Sequence, residues 1–195
     1  MYEKGVRRTA EDTAATRAAL VDAALFAFAR EGIDRATLAG IAEAAGVTRG
    51  AVYHHFADKE ALLAAVFSET WDAVAAPVWA ELDAPGVPLA DRLEAFALAW
   101  LDALHDDPRF TALMAVSLRA ATPPEAVTQK AAGLRVWRDR LLDALSADPL
   151  TDPEPAAAHL MAWLTGTALL AAHDPALVPP ADAASVRPVL AGMLP

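Results

Sequence analysis

The chain has 195 residues, of which 55% are hydrophobic and none is cysteine, and its net charge is −10. This length and composition allow one or two domains with hydrophobic cores and argue against disorder over most of the chain. The absence of cysteine excludes disulfide bonds, thiol catalysis and thiolate metal sites, and it suits a reducing cytoplasm.

Residues 1–15 are polar and are predicted to form a mobile N-terminal arm. Lys4, Arg7 and Arg8 in this arm could reach a phosphate or a minor groove, although a solvated tail is the simpler interpretation. No apolar run follows these basic residues. We therefore expect no secretory signal and a protein that stays in the cytoplasm.

An amphipathic helix is predicted from Thr16 to Glu31. Its apolar residues recur at helical spacing, and Gly32 follows at the usual position of a helix C-terminus. The next two helices should pack against this helix, because two short helices alone bury too little surface. The apolar positions are Leu20, Val21, Ala24, Leu25 and Phe28.

The segment from Thr37 to Phe56, TLAGIAEAAGVTRGAVYHHF, has the pattern of a helix-turn-helix. Apolar residues recur at helical spacing up to the break at Gly46, and Thr48 can cap a second helix. Thr37 stands at the capping position of the first helix, where it could also bond a phosphate. Val52 and Phe56 of the second helix should face the core.

The outer face of this second helix should carry Arg49, Gly50, Tyr53 and His54, because residues one, four and five positions apart lie on one side of a helix. This face combines a cation, a gap for close approach and two aromatic hydrogen-bonding groups. A helix needs such a set to enter a DNA major groove. His55 belongs to the same helix and completes the predicted DNA-binding set.

A third capped helix is predicted to begin at Lys59, with Asp58 as its cap. A helix N-terminus presents unpaired amides and a positive dipole, so this corner, with Lys59, should hold a DNA phosphate. Residues 1–62 hold eight Lys and Arg against nine Asp and Glu. Most of the excess negative charge therefore lies after residue 62, away from the proposed DNA face.

The phrases IAEAAGVTRGAVYHHFADKEALL and, upstream, TRAALVDAALFAFAREGIDRATL resemble the N-terminal domain of the TetR family of bacterial transcriptional repressors, in a form close to the multidrug-efflux regulators. The resemblance covers about Thr16 to Phe67 without gaps. It implies a DNA-binding head, a phosphate contact for Lys59 and a divergent ligand-binding domain. His54 stands where the family often has a bulkier aromatic residue, so we expect a different base preference there.

Prolines mark the second part of the chain, since all 14 lie at or after Pro77. The helix that begins at Lys59 can therefore run to about Ala76 and connect the head to the rest. Turn signals separate further helices, and no stretch alternates as a strand would. These helices are predicted at residues 89–105, 108–121, 124–147, 154–173 and 183–193.

The predicted fold is therefore all-α: a three-helix helix-turn-helix head joined by a long helix to a helical domain. The arm covers residues 1–15. The DNA-binding head covers residues 16–58, with its motif at 37–56. The ligand-binding and dimerisation domain covers residues 59–195.

The segment from Ala156 to His173 contains no Asp, Glu, Lys or Arg. It is alanine-rich and less apolar than a membrane span, so we expect no membrane and a helix buried on every side. A second copy of the chain is the simplest cover, and Ala162 and Gly166 would allow close approach. We expect a homodimer through the helices at about 154–173 and 183–193.

The histidines outside the recognition helix form no pair at ligand spacing, so no metal site is predicted. If the chain did bind a metal, the best candidate ligands would be His105, Asp106 and Asp107. The chain has no nucleophile elbow, glycine-rich phosphate loop or recognisable carboxylate pair. Neither an enzyme nor a bound cofactor is expected.

All five tryptophans lie after residue 70, which is more than a small helical domain usually needs for packing. A concave apolar pocket for a flat lipophilic molecule is one interpretation, and a pocket filled by its own tryptophans is the other. The acidity of this part weakly favours cationic lipophiles, although surface acid serves solubility equally well. The residues predicted to line the pocket are Trp71, Trp100, Met114 and Trp137.

Together these features predict a dimeric transcriptional repressor that binds a near-palindromic DNA operator and is released by a small lipophilic ligand. One alternative keeps the DNA-binding head but makes the second domain a ligand-independent dimeriser. The other alternative is an all-helical small-molecule carrier or enzyme, which would bind no operator.

Overall fold

The computed structural model describes residues 10–119, 124–148 and 151–192, and the regular structure of these residues is helical with no strand. This confirms the predicted all-α class. Helices α1, α2 and α3 form the head, and α4 leads from it into the second part. Their bounds are α1 Ala10–Glu31, α2 Leu38–Ala44, α3 Arg49–His55 and α4 Lys59–Asp83.

The second part consists of the end of α4 and the helices that follow it. A 3-10 turn, Pro175–Leu177, precedes the last of them. Their bounds are α5 Leu89–Asp106, α6 Pro108–Arg119, α7 Pro124–Leu145, α8 Pro153–His173 and α9 Ala183–Ala191. The final residues of the helices predicted at 108–121 and 183–193 lie outside the described residues.

The apolar residues of the head pack into a core that is continuous with that of the second part. Helix α1 packs against α2, α4 and α6, and α2 packs against α3. Val52 is fully buried and Phe56 is 3% exposed, so α3 turns its apolar side inward as expected. Gly46 lies between α2 and α3 with a φ of +67°, a conformation that glycine adopts without strain. The tight turn of the helix-turn-helix depends on it.

Helix α1 begins earlier than its apolar pattern indicates. The periodicity predicts a start at Thr16, but α1 starts at Ala10, so residues 10–15 of the expected arm are helical. Glu11 and Asp12 lie in the first turn, where they complement the helix dipole. These turns are mostly exposed and show no apolar stripe, which is why periodicity misses them. Residues 1–9 of the arm lie outside the described residues.

Helix α4 also continues past its predicted end near Ala76, as far as Asp83. It contains a π-helical segment, Trp71–Ala75, in which the N–H of Ala76 donates to the carbonyl of Trp71, five residues back. Proline lacks an N–H and crowds the carbonyl four residues before it. The wide turn just upstream lets the helix pass Pro77, so the prediction that this proline ends the helix is wrong.

The second part packs around α5, α6 and α8. Helix α8 contacts α5, α6 and α7, and α9 packs against α5. One face of α8 is buried through residues such as Leu160, Leu164 and Ala168. The opposite face is uncovered by the described chain, with Leu169 45% and Leu170 37% exposed.

Two helices among the described residues, α4 and α8, are long and apolar enough to cross a membrane by length and composition alone. In each, 39% of the most apolar window is buried inside the chain. Core helices pass the same test, so this property does not distinguish a membrane span from a helix that packs against protein.

Candidate DNA-binding surface

Two threonines begin the helices of the helix-turn-helix. The Thr37 hydroxyl accepts a hydrogen bond from the Gly40 N–H at 3.1 Å, and the Thr48 hydroxyl accepts one from the Ala51 N–H at 3.3 Å. Each satisfies an amide that has no partner inside its helix. Both threonines are exposed. The predicted caps are therefore present, while a phosphate contact by either hydroxyl stays a prediction.

The outer face of α3 carries Arg49, Gly50, Tyr53 and His54, all exposed. Tyr53 is 50% exposed, which is unusual for a large aromatic residue in the head. His55 is half-buried, with its ring 5.2 Å from that of His54 and 6.3 Å from that of Phe56. It therefore lies at the margin of this surface and is a poorer candidate for DNA contact than the other four.

Arg49 and Tyr53 form a pair on this face. The guanidinium donates to the Tyr53 hydroxyl at 3.4 Å, and its carbon lies 5.8 Å from the centre of the ring. This hydrogen bond raises the pKa of Arg49 above its ordinary value, and a guanidinium is in any case charged at neutral pH. Among the described residues, the guanidinium has a hydroxyl and not a carboxylate as its hydrogen-bond partner. Such a guanidinium can bind a phosphate or a guanine edge.

Gly50 has no structural need to be glycine in the described chain. A Cβ added there would meet only the Thr48 hydroxyl, at 3.9 Å, which is an ordinary contact. Its φ is not positive, and glycine lowers helix stability relative to alanine. In contrast, a Cβ at Gly40 of α2 would lie 3.3 Å from the Thr37 hydroxyl. The gap at Gly50 therefore suits something outside the chain that approaches closely.

Lys59 forms hydrogen bonds within the head. Its ammonium donates to the carbonyl oxygens of Ile33 at 2.8 Å, Asp34 at 3.2 Å and Ala36 at 3.4 Å. An ammonium has three donors, and these bonds use all of them. The α4 N-terminus beside it is capped by Asp58, whose carboxylate accepts from the Ala61 N–H at 2.7 Å. This corner holds the α1–α2 loop in place, while a phosphate contact by Lys59 stays a prediction.

Helix α1 is joined to α4 and α6 by two ion pairs and to the end of α3 by a ring contact. Arg17 pairs with Glu69 of α4 at 2.5 Å, and its guanidinium lies 4.6 Å from the centre of the Phe56 ring. Asp22 pairs with Arg109 of α6 at 2.8 Å. Through Arg17, the end of α3 is therefore linked to α4, and through Asp22 the same helix α1 is linked to α6.

The residues predicted to line a ligand pocket form a closed aromatic cluster in the second part. Trp71 and Trp100 each lie 5.8 Å from Trp137, measured between ring centres. Trp79, which is not among the residues predicted to line the pocket, lies 5.5 Å from Trp137. Trp100 and Met114 are fully buried. The three predicted tryptophans are thus brought together, but their rings fill the space between them.

The N-terminal segment matches a known family. Residues 20–66 match the sequence profile of the bacterial regulatory proteins of the tetR family. Over 73 residues the chain is 51% identical to the HTH-type transcriptional regulator TtgR of Pseudomonas putida, a match covering 36% of this chain and 35% of TtgR. The chain therefore spans about a third of the length of this relative.

Two solved structures of one further relative, SmeT, cover both parts of the chain. SmeT, the repressor of the SmeDEF multidrug efflux pump of Stenotrophomonas maltophilia, superposes with a TM-score of 0.72 at 31% identity, over 94% of this chain and 93% of SmeT. A complex of SmeT with triclosan gives a TM-score of 0.73 at 29% identity, over 93% and 92%.

The HTH-type transcriptional repressor Rv1474c of Mycobacterium tuberculosis is 34% identical over 166 residues, which cover 73% of this chain and 86% of that protein. Identity at this level across both parts of the chain is not confined to the helix-turn-helix. The chain belongs to the TetR family of bacterial regulatory proteins, whose members are transcriptional regulators rather than enzymes.

Proposed function

We propose that the protein is a cytoplasmic homodimeric repressor that binds a near-palindromic DNA operator and releases it when a small aromatic ligand binds the second part. The two α3 helices would enter successive major grooves, roughly 34 to 36 Å apart. The observation that carries the proposal is the outer face of α3, where a cation, a gap and two aromatic groups are exposed above a buried Val52 and Phe56.

Dimerisation is supported by the uncovered face of α8. Ala158, Ala162 and Gly166 are exposed at a spacing of four residues, and Leu169 continues the same stripe. These side chains are small or apolar, and none is charged. A second copy of α8 packed along this stripe would bury it, with α9 beside it. A dimer would also place two copies of α3 on the same face of a DNA duplex.

The test of operator binding is a mobility-shift titration on the DNA upstream of the protein's own gene. We expect the parent protein to shift this DNA specifically, and Arg49→Ala and Tyr53→Ala each to weaken the complex about tenfold or more. Circular dichroism should show that both variants stay folded, because both side chains are exposed.

The matched control is Arg138→Ala on α7, which removes an exposed arginine of the second part. It should bind the operator as the parent does. If folded Arg49→Ala and Tyr53→Ala proteins bind as tightly as Arg138→Ala, α3 does not read DNA through this face and the proposal fails.

Release by an aromatic ligand is supported by the tryptophan cluster and by the relationship to SmeT, which has been crystallised with triclosan. A ligand lowers operator affinity only if it binds the two conformations unequally. The expected result is that triclosan quenches the tryptophan fluorescence and reverses the mobility shift at matching concentrations.

A second candidate, a ligand-independent regulator, is favoured by the closed packing of the same rings. Trp79 and Trp100 are fully buried, and ring centres in the cluster lie 5.1 to 6.3 Å apart. Unchanged fluorescence and an undiminished shift across a library of lipophiles would support this candidate and exclude release by such ligands.

A further inference from the structure

Two fully buried residues of the second part each carry a side-chain polar atom without a hydrogen-bond partner among the described residues. The indole N–H of Trp79 and the hydroxyl of Thr70 are fully buried, and no acceptor or donor among the described residues reaches either. In contrast, the Trp100 N–H donates to the Thr167 hydroxyl at 2.9 Å. A buried donor without a partner lowers stability, because it has lost its hydrogen bond to water and gained none inside the protein. Trp79 therefore carries a penalty that Trp100 avoids.

The Trp79 ring is enclosed by other rings. Phe96 lies 5.1 Å, Trp137 5.5 Å and Trp71 6.2 Å from it, measured between ring centres. Of these rings, that of Trp71 is only half-buried. Trp71 also begins the π-helical segment of α4, and π-helical turns occur frequently at functional sites. Trp71 is thus the ring that can move without disturbing the centre of the core.

A guanidinium already occupies the place that a cationic ligand would need on the Trp79 ring. The Arg140 guanidinium lies 5.5 Å from the centre of this ring. Its ion pair with Asp83, at 2.5 Å, also uses the nearby carboxylate. A cationic ligand stacked on Trp79 would therefore compete with Arg140 for the ring and would find this carboxylate already paired. A neutral or anionic molecule meets neither obstacle.

From these contacts we infer that Trp79 is the polar anchor of a ligand site, and that the site takes a planar aromatic molecule with a hydrogen-bond acceptor, such as a carbonyl or phenolate oxygen. The ligand displaces the Trp71 ring, stacks within the cluster and accepts the Trp79 N–H. This rests on the proposed function, since it names the ligand class of the same regulator. This ligand class differs from the cationic lipophiles that the acidity of the second part weakly favours.

The experiment compares 9-fluorenone with fluorene, which have the same planar shape but differ in a carbonyl acceptor. Binding is measured by equilibrium dialysis on the full chain. One net hydrogen bond is worth roughly 0.5–1.5 kcal/mol, so we expect fluorenone to bind about three to ten times more tightly than fluorene. The planar cation 10-methylacridinium should bind more weakly than fluorene.

Variants assign the preference to one atom. Trp79→Phe removes the N–H and keeps an aromatic ring, so the fluorenone preference should fall to about one. Circular dichroism should show that this variant stays folded, although its melting temperature combines two opposing effects: ring volume is lost from the core and an unpartnered donor is removed. Trp163→Phe is the matched control: it removes the N–H of a half-buried tryptophan outside the aromatic cluster and should keep the preference. Trp71→Ala removes the covering ring and should tighten fluorenone binding several-fold.

Equal affinity for fluorenone and fluorene in the parent protein overturns the inference, even if Trp79→Phe folds poorly. A preference that persists in a folded Trp79→Phe protein, or weaker binding by Trp71→Ala, also overturns it. The mobility shift without ligand is a separate measurement. If the protein binds the operator but binds neither probe, the ligand site at Trp79 is refuted and the proposed DNA binding is unaffected. If fluorenone binds with the expected preference but does not release the operator, the release mechanism is refuted and the ligand site at Trp79 is unaffected.

Discussion

Gly50 is the residue at which stability and DNA binding should respond in opposite directions. A Cβ at this position fits the free protein, since its closest contact would be 3.9 Å away. Gly50→Ala should therefore raise the free energy of unfolding, by about 0.5 kcal/mol for a glycine near a helix end. The same methyl group would enter the space proposed for DNA, so operator affinity should fall about tenfold. Thermal denaturation and a mobility shift measure the two effects.

The control for Gly50 is Gly40, the other glycine of the helix-turn-helix that lies inside a helix. A Cβ at Gly40 would press on the Thr37 hydroxyl at 3.3 Å, so Gly40→Ala should disturb the cap and lower stability by about 1 kcal/mol. A Gly50→Ala protein that is both more stable and fully active on the operator would show that no partner approaches α3 at this point.

The salt dependence of operator binding can distinguish between two roles of Lys59. If its ammonium stays on the three loop carbonyls, Lys59→Gln should lower the free energy of unfolding by roughly 1–2 kcal/mol and leave the salt slope of operator binding unchanged. If it binds a phosphate, the slope of log K against log salt should fall by about 0.9. We expect the first result, because no donor is left over. Titrations at several salt concentrations decide between them.

At the scale of elements, α1 is the helix through which the head and the second part contact each other. Arg17 contributes both an ion pair with Glu69 and a cation–π contact with Phe56. Arg17→Ala should lower the free energy of unfolding by about 1 kcal/mol, since half-exposed pairs contribute little and the ring contact adds to them. Arg138→Ala, which breaks an exposed pair within the second part, should change it by less than about 0.5 kcal/mol. Equal effects in urea unfolding would contradict the assignment.

The elements also show which features follow from sequence. The caps at Thr37, Thr48 and Asp58 were predictable because a capping side chain bonds to an amide only two or three residues away. The partners of Lys59 were not, since they lie 23 to 26 residues distant and depend on how α1 meets α4. Trp79 was missed for a related reason: the sequence predicts that the helix ends before Pro77, and the π-helical segment that carries it onward leaves no apolar pattern.

The start of α1 shows the limit of periodicity as a signal. Its first turns project beyond the core and are mostly exposed, so apolar spacing reveals only the part that packs. The aromatic cluster shows a different limit. Composition indicates that tryptophans gather in the second part, but only the ring distances decide between an open pocket and a filled one. The outer face of α3 was predictable because the helical repeat alone sets it.

At the scale of the whole molecule, the uncovered face of α8 should decide whether two heads act together. Gly166 is exposed in the middle of this helix, and an added Cβ would meet nothing within 4 Å. Glycine inside a helix is less favourable than alanine by about 1 kcal/mol. A glycine at such a position is consistent with a second helix that approaches closely, as the proposed dimer requires.

Gly166→Leu tests this directly, because it places a bulky side chain at the proposed point of closest approach. We expect the parent to sediment as a dimer and Gly166→Leu to sediment as a monomer. Operator binding should then fall by at least about a hundredfold, since each head alone contacts only a half-site. Ala90→Leu on the exposed side of α5 is the matched control and should remain dimeric and active. A Gly166→Leu protein that stays dimeric and binds the operator normally would move the dimer interface away from this stripe of α8, and the spacing of the two α3 helices would then have to be set by another surface.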